Sequence, residues 1–404
     1  MKVLVVHTFN QSQKGNDSVV KDEIELLRSS GLIVELLSIP PALGSKLAVM
    51  RSTFFNYSSW RKVKKRISSF KPDLVHMHYL EYGSMASAVY AVKKCKLPLV
   101  FTPHNYSLLC PSETLFHQDK LYTESIRQPF PYKAIKEAFF HRSKALTFGL
   151  SVSMFLHHLL GTWKRFDSMI VSSAAIREVF VQSKLNFISG RLSINAASCS
   201  PCRAERHGPV QAPYYVYAGE LTDKSGIPVL LESFADSGLT LKVAGRGALS
   251  KLINGYAEFY PNISLIETSD PNKISWLFEN AAALVFPAVW YEPFGSMVIK
   301  ALSMGLPVIA SNLGMFSDVI KHGHNGLLFE AGNDRDLREK VDQFQSLTWS
   351  ESKKYREHAL QTYLLRFSPD RAAAQLTALY QSLCAQSDAK TILPDRERAS
   401  VKTG

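Results

Sequence analysis

Apolar positions along this chain cluster in short continuous runs, separated by longer stretches with a helical repeat. Residues 2–6 (KVLVV), 33–37, 73–78, 99–103, 167–173 and 192–195 read as strands. Residues 18–30 read as a helix with Val19, Val20, Ile24, Leu26 and Leu27 inward, stopped by Gly31. A strand, a helix and a returning strand form the crossover of a parallel sheet. The second half repeats the pattern. Strands are expected at 214–218, 239–244, 283–287 and 306–310, with helices at 227–234 and 296–304. Residues 263–266, 274–280 and 326–329 read as the strands that complete this sheet, and 372–384 as a last helix. Residues 199–211 carry proline and charge with little periodicity and read as a linker between domains 1–198 and 212–362. Residues 385–404 are polar, lack an apolar period and are expected to be disordered.

The chain has 404 residues, enough for two α/β domains. Its 46% hydrophobic and 20% charged residues are those of a folded protein. The net charge of +12 suits nucleic acid, an anionic membrane or a phosphorylated ligand. No basic–aromatic nucleic-acid signature accompanies it, so no nucleic-acid partner is expected. The opening apolar run ends at His7, too short for a signal-peptide core. Residues 145–160 contain His157 and His158 and are too short to span a bilayer securely. Five cysteines, an odd number, point to a reducing cytoplasm. Cys199 and Cys202 form a lone CxxC, which without a second pair is weak evidence for zinc.

Positive charge gathers in two places. One is 51–71, where a helix over 57–70 carries Trp60, Val63, Ile67 and Phe70 on one side with Arg61, Lys62, Lys64, Lys65 and Arg66. The other is 133–165, apolar and basic together. Each has two readings: a face for an anionic membrane, or an apolar stripe packed inward beneath a solvated basic surface.

The candidate chemistry lies at strand ends. In the loop 291–295, Pro293 and Gly295 shape the turn and Ser296 can cap the following helix. Free amides at a helix start attract an anion such as phosphate. Glu292 stands at the carboxyl end of a strand, where open α/β sheets bind ligands. A capped helix beside a surface glutamate is the plain alternative. Gly219 and Gly245-Arg246-Gly247 follow two other strands and offer further walls of a phosphate pocket. Gly15, after the first strand, permits close backbone approach. His76 and His78 share one strand face, a metal-like spacing with no further ligand in view. His104 and Asn105 directly follow a strand. Asp334-Arg-Asp336 has the form of a metal-binding DxD but opens a helix, where acids are favoured anyway.

Glu292-Pro-Phe-Gly295, Ala301, Gly305 and Pro307-Val308 together resemble the nucleotide-binding segment of retaining glycosyltransferases of family 4, with the GT-B fold. Thr102-Pro-His-Asn-Tyr106 through Cys110-Pro111 and the run Gly323-His-Asn-Gly-Leu-Leu-Phe329 extend the resemblance, which covers nearly the whole chain. Within that family the chain resembles bacterial envelope-polysaccharide and lipopolysaccharide transferases. The resemblance implies two Rossmann-like domains facing across a cleft, with a helix over 363–384 crossing back to the first. It implies transfer of a sugar from a nucleoside diphosphate to a saccharide or lipid-linked glycan, with retention and without a metal cofactor. The expected setting is cytoplasmic, in peripheral contact with the inner, anionic face of the membrane. By the same resemblance Glu292 binds sugar hydroxyls and His104 flanks the sugar, with His78 and Asn105 beside it. Gly15, Gly219, Lys224, Gly245, Arg246, Phe294, Gly295, Ser296, Met297 and Lys300 fall on the donor side.

The sequence departs from the family in charge. Glu220 and Ser225 stand where relatives carry arginine and lysine, and Lys300 replaces the glutamate that holds the donor ribose. Lysine has no acceptor for that contact. One expectation is a coupled exchange, in which Lys300, Lys224 and Arg246 restore the lost positive charge. The other is a decayed donor site in a non-catalytic binding partner of an active transferase. A phosphorylase on the same fold ranks lower, since no lysine-bearing cofactor motif is present.

Overall fold

The computed structural model describes residues 1–9, 14–41, 46–117, 120–128, 130–183, 189–194 and 214–392. In the first half the apolar runs form β1 (Lys2–His7), β2 (Ile33–Ser38), β3 (Leu74–Met77) and β4 (Leu99–Phe101). A two-stranded hairpin, β5 (Phe116–His117) and β6 (Lys120–Leu121), precedes β7 (Ser168–Val171) and β8 (Leu192–Ile194). Apart from the hairpin these make one parallel sheet in the order β2-β1-β3-β4-β7-β8. Helices cover both faces, so Val3, Leu4, Val5 and Val6 are all buried and the strand reads as an unbroken apolar run.

The second half forms β9 (Tyr214–Glu220), β10 (Leu241–Arg246), β11 (Ile263–Ile266), β12 (Ala281–Phe286), β13 (Val308–Ser311) and β14 (Gly326–Phe329). They too are all parallel, in the order β11-β10-β9-β12-β13-β14. The strand order reverses between β1 and β3 in the first sheet, and between β9 and β12 in the second. Ligands of such sheets bind in the crevice outside the strand carboxyl ends at that reversal.

Several expectations need correction. Residues 274–280 are not a strand but part of the helix Pro271–Asn280, with Asp270 capping it and Ile274, Leu277 and Phe278 buried. Gly15 lies in the first turn of the helix Lys14–Ser29 rather than in an open loop. Gly219-Glu220 and Gly245-Arg246 are the ends of β9 and β10, not loop residues, because the two strands stay in register to that point. The last helix is Pro369–Ile392, so 385–392 are helical and not part of a disordered tail. Residues 393–404 and the expected linker 199–211 lie outside the described residues.

That last helix crosses back onto the first sheet. Leu376, Tyr380 and Leu383 pack into one cluster with Val3, Val5, Val20 and Ile24. The helix Tyr57–Phe70 is capped by Asn56 and buries Val63 and Ile67, leaving Arg61, Lys62, Lys65 and Arg66 exposed. The helix Lys144–Leu159 buries Leu146, Leu150 and Met154 yet exposes Phe148, Leu156 and Leu159. Among the described residues no helix is long and apolar enough to cross a membrane. Asp334 and Asp336 open the helix Asp334–Gln345, where the Asn333 side chain accepts from the Asp336 amide at 3.0 Å.

Candidate active site

The second domain supplies one wall. Leaving β12, the chain turns through Glu292 into the helix Ser296–Ser303. Gly295 makes the turn with φ +55, and a Cβ there would lie 2.8 Å from the Met315 sulfur. Glycine is therefore favoured by conformation, and a larger residue would also have to displace the Met315 side chain. Ser296 does not cap the helix as expected. It is the first helical residue, and the cap position belongs to Gly295 without a side-chain bond. Instead the Glu292 carboxyl lies beside the backbone of Phe294 and Gly295, which favours its charged form. The next amides, those of Ser296, Met297 and Val298, have no intrahelical acceptor and can meet an anion. Burial pushes the Glu292 carboxyl up to about 7, with Lys224 acting against that rise.

Lys224 is set by a tight turn after β9. Its ammonium lies 4.5 Å from the centre of the Trp290 ring, and its carbonyl accepts from the Val289 amide at 3.1 Å. Gly226 follows with φ +70, and a Cβ there would strike the Pro287 carbonyl at 1.8 Å. The turn and the β12 loop are thus in backbone contact, which fixes Lys224 beside Glu292. Gly219 and Gly245 face one another in register, and a Cβ on Gly245 would lie 2.0 Å from the Gly219 carbonyl.

The first domain supplies the other wall, built from strand-end histidines. His78 Nδ1 and His104 Nε2 share a hydrogen bond of 3.0 Å. The His104 ring lies 4.7 Å from the Phe294 ring, a contact across the two domains. Burial drives the His104 imidazole well below its usual range, and His78 and His7 add to that, so it is neutral at physiological pH. The Asn105 side chain turns back: its Oδ1 accepts from the Ser107 amide at 3.0 Å and its Nδ2 donates to Glu113 at 3.1 Å. Two more contacts hold the walls together. The Ser172 hydroxyl donates to the Pro293 carbonyl, and Asp318 accepts from the Ala175 amide at 2.6 Å.

The structure thus brings Glu292, Phe294, Gly295, Lys224, His104 and His78 into one cleft. It does not join Lys300 to them. The Lys300 ammonium donates to the Pro271 carbonyl at 3.0 Å, and no ion pair links it to Glu220 among the described residues. The register partner of Glu220 is Arg246, on the neighbouring strand end, and both are exposed. Sequence reasoning missed four residues. Asp17 bonds His7 Nε2 at 2.9 Å, Glu23 and Tyr380 meet His76, and Glu113 faces Lys224. Of these, Glu23 carried a signal: a charged residue on the otherwise inward side of the first helix.

Two doubly wound sheets meeting at their reversal points, with the last helix returning to the first, define the GT-B fold. Residues 34–184 match the family model described as Glycosyltransferase Family 4, and residues 203–362 the one described as Glycosyl transferases group 1. The chain is 27% identical over 128 residues to an uncharacterized glycosyltransferase of Methanocaldococcus jannaschii, covering 31% of this chain and 36% of that one. It is 30% identical over 136 residues to the capsular polysaccharide biosynthesis glycosyltransferase CapM of Staphylococcus aureus, covering 31% of this chain and 35% of that one. The matches therefore span little more than a third of either relative. The crystal structure of Anabaena Alr3699/HepE in complex with UDP superposes with a TM-score of 0.65 at 16% identity, over 95% of this chain and 100% of that one. This likeness establishes the fold. The chain carries a Glycosyltransferase Family 4 domain followed by a group 1 glycosyl transferase domain.

Proposed function

We propose that this protein transfers a sugar from a nucleoside diphosphate to a hydroxyl of a saccharide or lipid-linked glycan, with retention at the anomeric carbon. The observation that carries the reading is Glu292: a half-buried carboxylate at the reversal point of the second sheet, between Lys224 and a helix start, with His104 on the opposite wall. In the reaction the bond from the anomeric carbon to the diphosphate breaks, and a bond to the acceptor oxygen forms on the same face. The acceptor proton leaves with the departing phosphate oxygen. Negative charge grows on that diphosphate, and the Ser296–Val298 amides and Lys224 can stabilise it without a metal. Glu292 and the neutral His104 are suited to hold sugar hydroxyls by hydrogen bonds.

The basic, partly apolar surface supports an acceptor anchored at an anionic membrane, and the likeness to a capsular polysaccharide enzyme agrees with an envelope glycan. A second reading, a non-catalytic partner of an active transferase, is favoured by Glu220 at the end of β9 and by Lys300 being tied to Pro271. Thermal unfolding against UDP, GDP, ADP and their sugars separates the two. A nucleotide at a hundred times its dissociation constant adds about 2.7 kcal/mol of stability. A clear shift with one nucleotide, and transfer that falls roughly 10²–10³-fold in Glu292→Gln while binding persists, is the expected result. No shift with any nucleotide, in protein that unfolds cooperatively, favours the partner reading.

A further inference from the structure

Behind His104, away from the second domain, three side chains from separate elements converge. Glu23 comes from the helix Lys14–Ser29, His76 from β3 and His78 from just beyond β3. Glu23 Oε1 lies 3.2 Å from His76 Nδ1 and 3.2 Å from His78 Nε2. All three atoms fall within 4.8 Å of one another, and both imidazoles are fully buried. We propose that Glu23, His76 and His78 form a structural zinc site.

Proton accounting supports a cation here. The Tyr380 hydroxyl lies 2.7 Å from His76 Nδ1, and in the tautomer where the hydroxyl donates, that nitrogen has no proton to offer Glu23. Glu23 Oε1 and His78 Nε2 are buried atoms that make no hydrogen bond in the protein. Buried polar atoms therefore converge without well-formed hydrogen bonds, a costly arrangement that a cation resolves. The two 3.2 Å separations from Glu23 also fit. Zinc bonds of 2.0–2.1 Å in tetrahedral geometry place neighbouring ligand atoms about 3.3 Å apart. Two imidazoles and one carboxylate are a zinc-type donor set. The outer nitrogens are already held, as metal-bound histidines require. His76 Nε2 bonds Thr102 Oγ1 at 2.8 Å and His78 Nδ1 bonds His104.

Zinc on His78 Nε2 leaves the proton on Nδ1, which then donates to His104 Nε2. His104 in turn carries its proton on Nδ1, an atom with no partner in the protein. The site would thus set His104 as an N–H donor at Nδ1. The consequence for a donor sugar rests on the transferase reading; the binding of zinc does not.

The test uses the full chain, freed of any affinity histidines and stripped with EDTA. Zinc is titrated against a chromophoric chelator, and cobalt is followed by its visible absorption. The expected result is one zinc per chain, a tetrahedral cobalt spectrum and a higher unfolding temperature with zinc. Glu23→Gln, which keeps volume, should weaken binding at least tenfold, and Thr102→Val about tenfold through the orientation of His76. Cys199→Ser with Cys202→Ser should leave binding unchanged. The proposal is overturned by cooperatively unfolding wild-type protein that takes up no stoichiometric zinc. It is equally overturned if binding survives Glu23→Gln and disappears with the cysteine pair.

Discussion

Glu292 and Glu113 stand on opposite walls of the cleft and both feel the charge of Lys224. Burial pushes each carboxyl up to about 7, and for Glu113 the neighbouring Glu81 adds to the rise. An acid whose folded pKa exceeds its unfolded value costs nothing below the unfolded pKa, where both states are protonated. The cost grows as pH climbs from about 4.5 to 7 and is complete above that. Glu113→Gln should therefore leave stability unchanged at pH 4 and raise it by roughly 1–3 kcal/mol at pH 8. Urea unfolding at the two pH values checks this. A variant less stable at pH 8 than the parent would mean that the ionised carboxylate is held favourably by Lys224. Glu292 was legible in the sequence because a strand, a turn with proline and glycine, and a helix surround it locally. Glu113 was not. Its place comes from a loop folded back so that its carbonyl accepts from the Tyr106 amide and its backbone takes φ +62, unusual for a side-chain-bearing residue.

At the scale of elements, buried parallel strands were the most legible feature, because burial on both faces makes them continuous apolar runs. The helix Pro271–Asn280 was misread for the same reason: Ile274, Leu277 and Phe278 fall in a short apolar window. Their spacing of three and then one belongs to one helix face, and Asp270-Pro271 is a cap followed by proline at the first position. The basic helix Tyr57–Phe70 was placed correctly, and its apolar stripe packs inward beneath a basic surface. Val63 and Ile67 pack inward, while Arg61, Lys62, Lys65 and Arg66 remain outside, with Arg66 2.5 Å from Glu35. This helix should bind anionic vesicles. A basic residue near such a surface contributes about 1 kcal/mol, so Lys62→Glu with Lys65→Glu should weaken binding at least tenfold. Cosedimentation at low and high salt checks it. Binding that ignores both the charge reversal and salt would place the contact instead on the exposed Phe148, Leu156 and Leu159.

At the scale of the whole molecule, the cleft joins side chains that no sequence window contains. Glu23, His76, His104 and Tyr380 meet because the parallel order β1-β3-β4 brings their ends together and the last helix returns to cover them. Among the described residues polar contacts latch the two domains, and the one with most leverage is Asp318. Its carboxylate, from the second domain, accepts from the Ala175 amide in the first turn of the helix Ala174–Val181 in the first domain. Ser173 caps that helix from its own chain segment by accepting from the Ile176 amide. Asp318 thus adds a second cap across the cleft, where a negative charge also meets the helix dipole. Losing such a cap costs about 1–2 kcal/mol, and here the loss falls on closure rather than on either core. Asp318→Ala should leave the unfolding of each domain nearly unchanged, increase the radius of gyration in solution scattering and raise the KM for the nucleotide sugar about five- to thirtyfold. Asp318→Asn keeps an acceptor without the charge and should recover most of the closure. An alanine variant with unchanged scattering and reduced overall stability would show that Asp318 supports the fold of the first domain, and the latch would have to be sought at Ser172 and Pro293.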